Sequence, residues 1–174
     1  PQMIEEVVGI VKAYTTRVGA GPFVTEENNE IGDAIREVGH EYGVTTGRPR
    51  RCGWLDLVVV RYAARVSGLT GISLMLLDVL DQFETVNICV GYETPQGEII
   101  TDFPASLDLL EKCRPVYKEL KGWHVPTTGC RDYDELPDEA KAYIREIEDF
   151  TGVPVRIISV GPDREQTMVR GELF

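Results

Sequence analysis

Several things are scarce in this 174-residue sequence. Basic residues are outnumbered, 18 Lys and Arg against 29 Asp and Glu, which leaves a formal charge of −11. A polyanion is repelled over most of such a surface, so broad, sequence-indifferent binding to nucleic acid or anionic lipid is excluded. Long apolar runs are missing as well. The longest uncharged stretch, Val66 to Leu77, is too short for a hydrocarbon layer of about 30 Å, and no transmembrane helix is expected. Pro1 to Gly9 include Glu5 and Glu6 and have neither a basic start nor an apolar core, so they do not read as a secretory signal. Cys52, Cys89, Cys113 and Cys130 form no CxxC pair and have no His at zinc-ligand spacing. Reduced thiols in a cytoplasmic protein follow, and no metal site is expected. His40 and His124 lie in no recognisable nucleophile setting, and a surface or structural role suits both. A phosphate loop of the GxxxxGK(S/T) order does not occur, nor does the dipeptide Gly-Lys.

What is present has the size of one ordinary globular domain, long enough to bury about 70% of the surface its unfolded chain exposes. Its charge is unevenly spread. Glu26 to Glu41 and Arg131 to Asp149 are acidic, whereas Thr45 to Arg65 carries Arg48, Arg50, Arg51, Arg61 and Arg65 against Asp56 alone. One arginine knot in an acidic chain suggests a focused anion site.

The alternation of strands and helices points to an α/β fold, a mixed layered sheet with flanking helices, over a single domain-sized region 1–174. Ala140, Tyr143, Ile144, Ile147 and Phe150 have the 3, 4, 7 spacing of a helix opened by Pro137 and stopped by Gly152 and Pro154. Val155 to Val160, Ile72 to Leu77 and Thr85 to Tyr92 read as strands. Trp54 to Val66 reads as a buried helix opening just after Gly53, and Gln96 to Arg114 as the loosest region.

Four segments can carry chemistry. Thr45-Thr46-Gly47-Arg48-Pro49-Arg50-Arg51 puts two hydroxyls, a permissive glycine and three guanidiniums within seven residues. Such a set can surround a carboxylate or phosphate, because Arg presents paired N–H donors to two anionic oxygens. A solvated basic turn that salt-bridges the acidic stretches accounts for the same residues. Lys12 to Phe23 is glycine-rich and carries Lys12 and Arg17; taken alone it reads as a turn after a helix. Asp78 and Asp81 follow an apolar strand, where an open α/β sheet usually binds ligands, and an Asp there can accept two N–H donors from a guanine edge. An Asp starting the next turn is the plainer account. Ser159-Val160-Gly161-Pro162 closes the last strand with small residues that let a base or sugar approach.

In this order, the segments GIVKAYTTRVGAGPF (Gly9 to Phe23), TTGRPRRCGWLDLV (Thr45 to Val58), LDVLD (Leu77 to Asp81), PVYKELKGW (Pro115 to Trp123) and ISVGPDREQT (Ile158 to Thr167) resemble the C-terminal part of the adenylosuccinate synthetase family. The resemblance covers essentially the whole chain. It implies the C-terminal portion of a larger, P-loop-like, nucleotide-dependent ligase fold. The family joins IMP and L-aspartate into adenylosuccinate, in the AMP branch of purine biosynthesis, through a 6-phosphoryl-IMP intermediate. GTP is the co-substrate and Mg²⁺ the metal, in a cytoplasmic homodimer. Carried over by motif, the loop from Val44 to Arg50 binds aspartate, with Thr45, Thr46 and Gly47 offering hydroxyl and backbone donors. Arg48 reaches the aspartate carboxylate, Arg50 meets both aspartate and the GTP phosphates, and Val18 contacts the IMP ribose. Leu76, Leu77 and Asp78 with Ser159, Val160 and Gly161 border the guanine, Asp78 reading its N1–H and 2-amino group. The family pattern Thr-Lys-Leu-Asp is here Met75-Leu76-Leu77-Asp78, so leucine stands where lysine is usual. The family's glycine-rich phosphate loop, its catalytic Asp and His and its Mg²⁺ ligands have no counterpart in these residues. They are therefore expected to have no synthetase activity alone, and a non-catalytic nucleotide- or dicarboxylate-binding module is the competing reading.

Overall fold

The computed structural model describes residues 4–171. In chain order its elements begin with β1 (Val8–Lys12), β2 (Thr15–Arg17), α1 (Glu30–Val38), β3 (Arg51–Gly53), β4 (Leu55–Asp56), α2 (Leu57–Ser67) and β5 (Gly71–Met75). They continue with β6 (Thr85–Glu93), β7 (Ile99–Ile100), α3 (Leu107–Leu110), β8 (Arg114–Lys121), α4 (Asp138–Thr151), β9 (Val155–Ser159) and β10 (Thr167–Val169). The fold is mixed α/β. It divides into two compact units: residues 4–13, 59–86 and 120–171 make a sheet unit, and residues 14–58 and 87–119 a loop unit. No described helix is long and apolar enough to cross a membrane.

The sheet unit is built on the strand order β1-β5-β9-β10. β1, β5 and β9 run parallel, and β10 returns antiparallel to β9. β5 is buried along nearly its whole length, Ile72 and Leu74 fully and Ser73 almost so, as in a strand covered on both faces, and it shows no alternation of buried and exposed positions. The period-3.6 stripe of α4 faces inward through Ala140, Tyr143, Ile144 and Ile147, each large apolar side chain contributing about 1.5–3 kcal/mol on burial. Tyr143 donates its hydroxyl to the carbonyl of Ala13 at 2.7 Å and meets the Trp123 ring edge-on at 6.0 Å. α4 ends at Gly152, whose φ of 71° is the left-handed cap that glycine adopts without steric penalty.

The loop unit pairs β2 with β3 and places β4 beside β6 and β6 beside β7. Asn29 caps α1, accepting from the N–H groups of Ile31 and Gly32 at 2.9 and 3.3 Å, and α1 packs on β3 through the fully buried Ile35.

Several expected boundaries move. The helix expected just after Gly53 starts at Leu57, because Leu55 and Asp56 first pair with Ile88 and Cys89. Asp56 then accepts from the Val58 N–H at 3.1 Å, capping the first turn. The strand expected to reach Leu77 stops at Met75. Lys12 to Phe23 follows no helix: it is the end of β1 and then β2. The loose region contains β7 and α3.

Candidate functional site

In the loop unit, the backbone of Glu41 and Tyr42 meets that of Pro49 and Arg50. Arg50 N–H donates to the Glu41 carbonyl at 2.9 Å, and Tyr42 bridges Pro49. The intervening loop closes on itself: Gly43 N–H reaches the Arg48 carbonyl at 2.9 Å and Gly47 N–H the Gly43 carbonyl at 2.7 Å. Gly47 takes φ 63°, a conformation that a β-carbon disfavours. Thr46 Oγ1 accepts from the Arg48 N–H at 3.3 Å.

The three guanidiniums have three different environments. Arg51 is fully engaged. It donates to both Glu26 carboxylate oxygens at 2.7 and 2.5 Å and to the carbonyls of Gly19 and Gly21 at 3.1 and 2.8 Å, and it lies over the Phe23 ring. The hydrogen bond from Arg51 holds the Glu26 carboxyl below the usual carboxylate range. Arg50 donates through Nη1 to Oε2 of Glu41 at 2.5 Å, and Tyr14 donates to Oε1 of the same carboxylate at 2.6 Å. The Glu41 side chain is only 1% exposed. The Arg48 side chain has no hydrogen-bond or ion-pair partner among the described residues and is exposed.

A cavity of about 160 Å³ opens here, its wall including Arg17, Val18, Thr46, Arg48, Arg50 and Arg51. Glu26 and Glu41 neutralise Arg51 and Arg50 from behind, so the surplus positive charge comes from Arg48 and Arg17. The volume is below the roughly 300–1,000 Å³ of drug-sized pockets. It suits a small organic anion.

The sheet unit holds the second group of residues. Parallel register pairs Leu74 with Ile158, so β5 and β9 end side by side. Just past Met75, Leu76 adopts the left-handed φ of 62°, an uncommon geometry for a branched side chain, and the chain turns into a 3₁₀ segment, Leu77–Leu80. Leu77, Val79 and Leu80 are buried by that turn. Asp78 is half-buried, and its Oδ1 is sealed from solvent with no hydrogen-bond partner. Burial raises the pKa of its carboxyl.

Asp81, one turn on, is satisfied instead. It accepts from Trp123 Nε1 at 2.6 Å, from the Thr127 N–H at 2.7 Å and from Thr127 Oγ1 at 2.8 Å. Burial pushes its pKa up and those hydrogen bonds oppose the rise. At the end of β9, Ser159, Val160 and Gly161 are buried. Ser159 Oγ donates to the Gly161 carbonyl at 2.8 Å, and a β-carbon on Gly161 would sit 2.2 Å from the Gln166 side chain.

The comparisons with known proteins match this whole region. A family model described as adenylosuccinate synthetase matches residues 1–168. Adenylosuccinate synthetases of Clostridioides difficile and Alkaliphilus metalliredigens are 62% and 58% identical over 174 residues, which is 100% of this chain and 40% of each relative. The chain belongs to the adenylosuccinate synthetase family. It spans about 40% of the length of the curated relatives it matches. A solved structure of fully ligated adenylosuccinate synthetase from Plasmodium falciparum matches with a TM-score of 0.93 and 42% identity, over 98% of this chain and 41% of that one.

Within this member of the synthetase family, the cavity gathers Val18, Thr46, Arg48 and Arg50. Val44, Thr45 and Gly47 stand on the exposed outer part of the loop, Val44 being 99% exposed. Leu76, Leu77 and Asp78, just past the end of β5, and Ser159, Val160 and Gly161, at the end of β9, lie at the carboxyl ends of two neighbouring parallel strands. The sequence pattern did not single out Glu26 and Glu41, which hold the arginines, or Tyr14, which donates to Glu41. A signal for the first two was available, since both bound the acidic stretch Glu26 to Glu41, and the salt-bridged-turn account describes Arg50 and Arg51 while leaving Arg48 outside it.

Proposed function

We propose that this chain is the aspartate- and guanine-binding part of an enzyme that joins L-aspartate to IMP, with GTP hydrolysed to GDP and phosphate. Arg48 and Arg50 take the aspartate carboxylates, Arg50 also meeting the GTP phosphates, and Thr45, Thr46 and Gly47 add donors from the loop. Val18 lies against the IMP ribose. Neutralising both carboxylates in a preformed cavity orients the free amine of aspartate for attack on the activated purine carbon, C6, at little reorganisation cost. The guanine of GTP lies at the ends of β5 and β9, bordered by Leu76, Leu77, Ser159, Val160 and Gly161.

The observation that carries this reading is the half-buried carboxylate of Asp78 at the ends of β5 and β9, whose Oδ1 has no hydrogen-bond partner. A buried acceptor without a donor is unfavourable by about 1–3 kcal/mol. Guanine offers two adjacent N–H donors to a carboxylate, whereas adenine presents an acceptor at the corresponding ring nitrogen. Leu76 supplies apolar contact where the family pattern has lysine. Mg²⁺ belongs to the same reaction and supplies charge neutralisation on the phosphates. Its ligands are proposed to come from elsewhere in the enzyme. A homodimer is part of this proposal.

The test is thermal shift of the protein with GTP and with ATP at equal concentrations. A ligand that binds only the native state stabilises it by RT ln(1 + [L]/Kd). GTP is expected to raise the midpoint and ATP to leave it nearly unchanged; equal shifts would remove Asp78 as the guanine reader.

A further inference from the structure

We propose that Glu41 is a positioning residue, the buried counter-charge that fixes where the Arg50 guanidinium points and hence how tightly the loop holds its dicarboxylate. The inference rests on the reading of the loop as the aspartate site. A carboxylate whose side chain is 1% exposed is unfavourable unless both oxygens are matched, and here both are. Oε1 accepts from Tyr14 Oη at 2.6 Å and Oε2 from Arg50 Nη1 at 2.5 Å. Glu41 is itself fastened through its backbone, its N–H donating to the Arg36 carbonyl at 2.9 Å and its carbonyl accepting from Arg50 N–H at 2.9 Å. Arg36 Nε closes the ring of contacts, donating to the Arg50 carbonyl at 2.8 Å.

Arg50 is thus held at its amide, its carbonyl and one guanidinium nitrogen, while its other guanidinium donors have no partner among the described residues and the side chain lines the cavity. A guanidinium braced on one edge presents the other at a fixed angle, which favours two-point capture of a carboxylate. The Glu41–Arg50 pair is also neutral overall. Arg50 therefore contributes direction, and the unpaired Arg48 contributes net charge.

The experiment is steady-state kinetics on the full-length synthetase that carries this segment, comparing Arg50→Ala, Glu41→Gln and the double variant. Gln keeps the shape but offers one acceptor to two donors and removes the ionic attraction. Glu41→Gln is expected to raise KM for L-aspartate about tenfold, with KM for IMP and kcat at saturating aspartate within about threefold of the parent. In the Arg50→Ala background the same change is expected to have no further effect, because residues that act through one another are not additive. The proposal is overturned if Arg50→Ala raises KM for aspartate and Glu41→Gln does not, or if the two effects multiply. If Arg50→Ala leaves KM for aspartate unchanged, it is the aspartate reading of the loop that fails. Should Glu41→Gln not fold, Tyr14→Phe keeps the ion pair and removes one brace. It is expected to raise KM for aspartate about threefold, an effect that vanishes in the Arg50→Ala background; its persistence there overturns the proposal.

Discussion

In the loop unit, Glu26 and Glu41 each hold a guanidinium at 2.5 Å; in the sheet unit, the sealed Oδ1 of Asp78 has no partner while Asp81, three residues on, has three. Of its three clustered arginines, the loop unit pairs Arg50 and Arg51 with buried or half-buried carboxylates and leaves Arg48 exposed. The sheet unit braces its turn with one carboxylate and leaves the other incomplete. An exposed cation without a partner is solvated by water at no great loss, whereas a buried acceptor without a partner is a standing destabilisation. In the proposed function the first arrangement supplies charge and the second selectivity.

That contrast predicts which substitutions unfold the protein and which only weaken binding. The largest stability loss is expected for Asp81→Ala, which strands the indole N–H of Trp123 and the amide and hydroxyl of Thr127. Denaturant unfolding should show a loss of about 3–5 kcal/mol, and a loss below about 1 kcal/mol breaks the view that Asp81 braces the strand end. Arg51→Ala comes next, at about 2–3 kcal/mol, because it leaves the mostly buried Glu26 carboxylate unpaired. Arg48→Ala separates the two roles within one loop: stability within about 0.5 kcal/mol of the parent, but aspartate affinity in the full-length enzyme down about tenfold to a hundredfold by calorimetry. If Arg48→Ala destabilises as much as Arg51→Ala, the distinction is wrong. Asp78→Asn is expected to lower GTP affinity about tenfold while leaving ATP unaffected, since Asn replaces one acceptor with a donor facing guanine.

The smallest effects are in pH, and the two units differ in sign. Burial raises the folded pKa of Asp78, so its stability contribution is full below the unfolded value of about 4 and is lost as pH rises through the folded value. The folded pKa of Glu26 is lowered; its contribution is present above an unfolded value of about 4.3 and is lost as pH falls through the folded one. Against the parent, Asp78→Asn should therefore gain in unfolding midpoint between pH 4 and 7. Glu26→Gln should lose most at neutral pH and least in acid.

Local pattern carried some elements well. α4 needed only its 3, 4, 7 apolar spacing and a terminal glycine, β9 its short β-branched run and β5 its place in a short uncharged, largely apolar stretch, because these signals lie within each element's own length. α1 was less visible: of its nine residues only Gly32 and Ile35 are buried, too few for a stripe. β1 is a strand because it pairs with β5, 63 positions away in register, and β4 because it pairs with β6; neither pairing leaves a local trace. The same limit applies to the candidate site. The arginine loop stood out in the sequence as a cluster, but the partners that give Arg50 and Arg51 their environments, Glu41 and Glu26, reach them from earlier in the chain.

The sequence by itself determined the family, the acidic balance, the principal helix and strands and the two segments proposed to bind ligands, since these depend on residue identity and near-neighbour spacing. Tertiary structure alone decided that three adjacent arginines have three different environments, that Asp78 is incomplete while Asp81 is satisfied, and that Leu76 turns left-handed between β5 and Asp78. Burial and hydrogen-bond pairing are properties of distant groups brought together, and a linear pattern does not contain them.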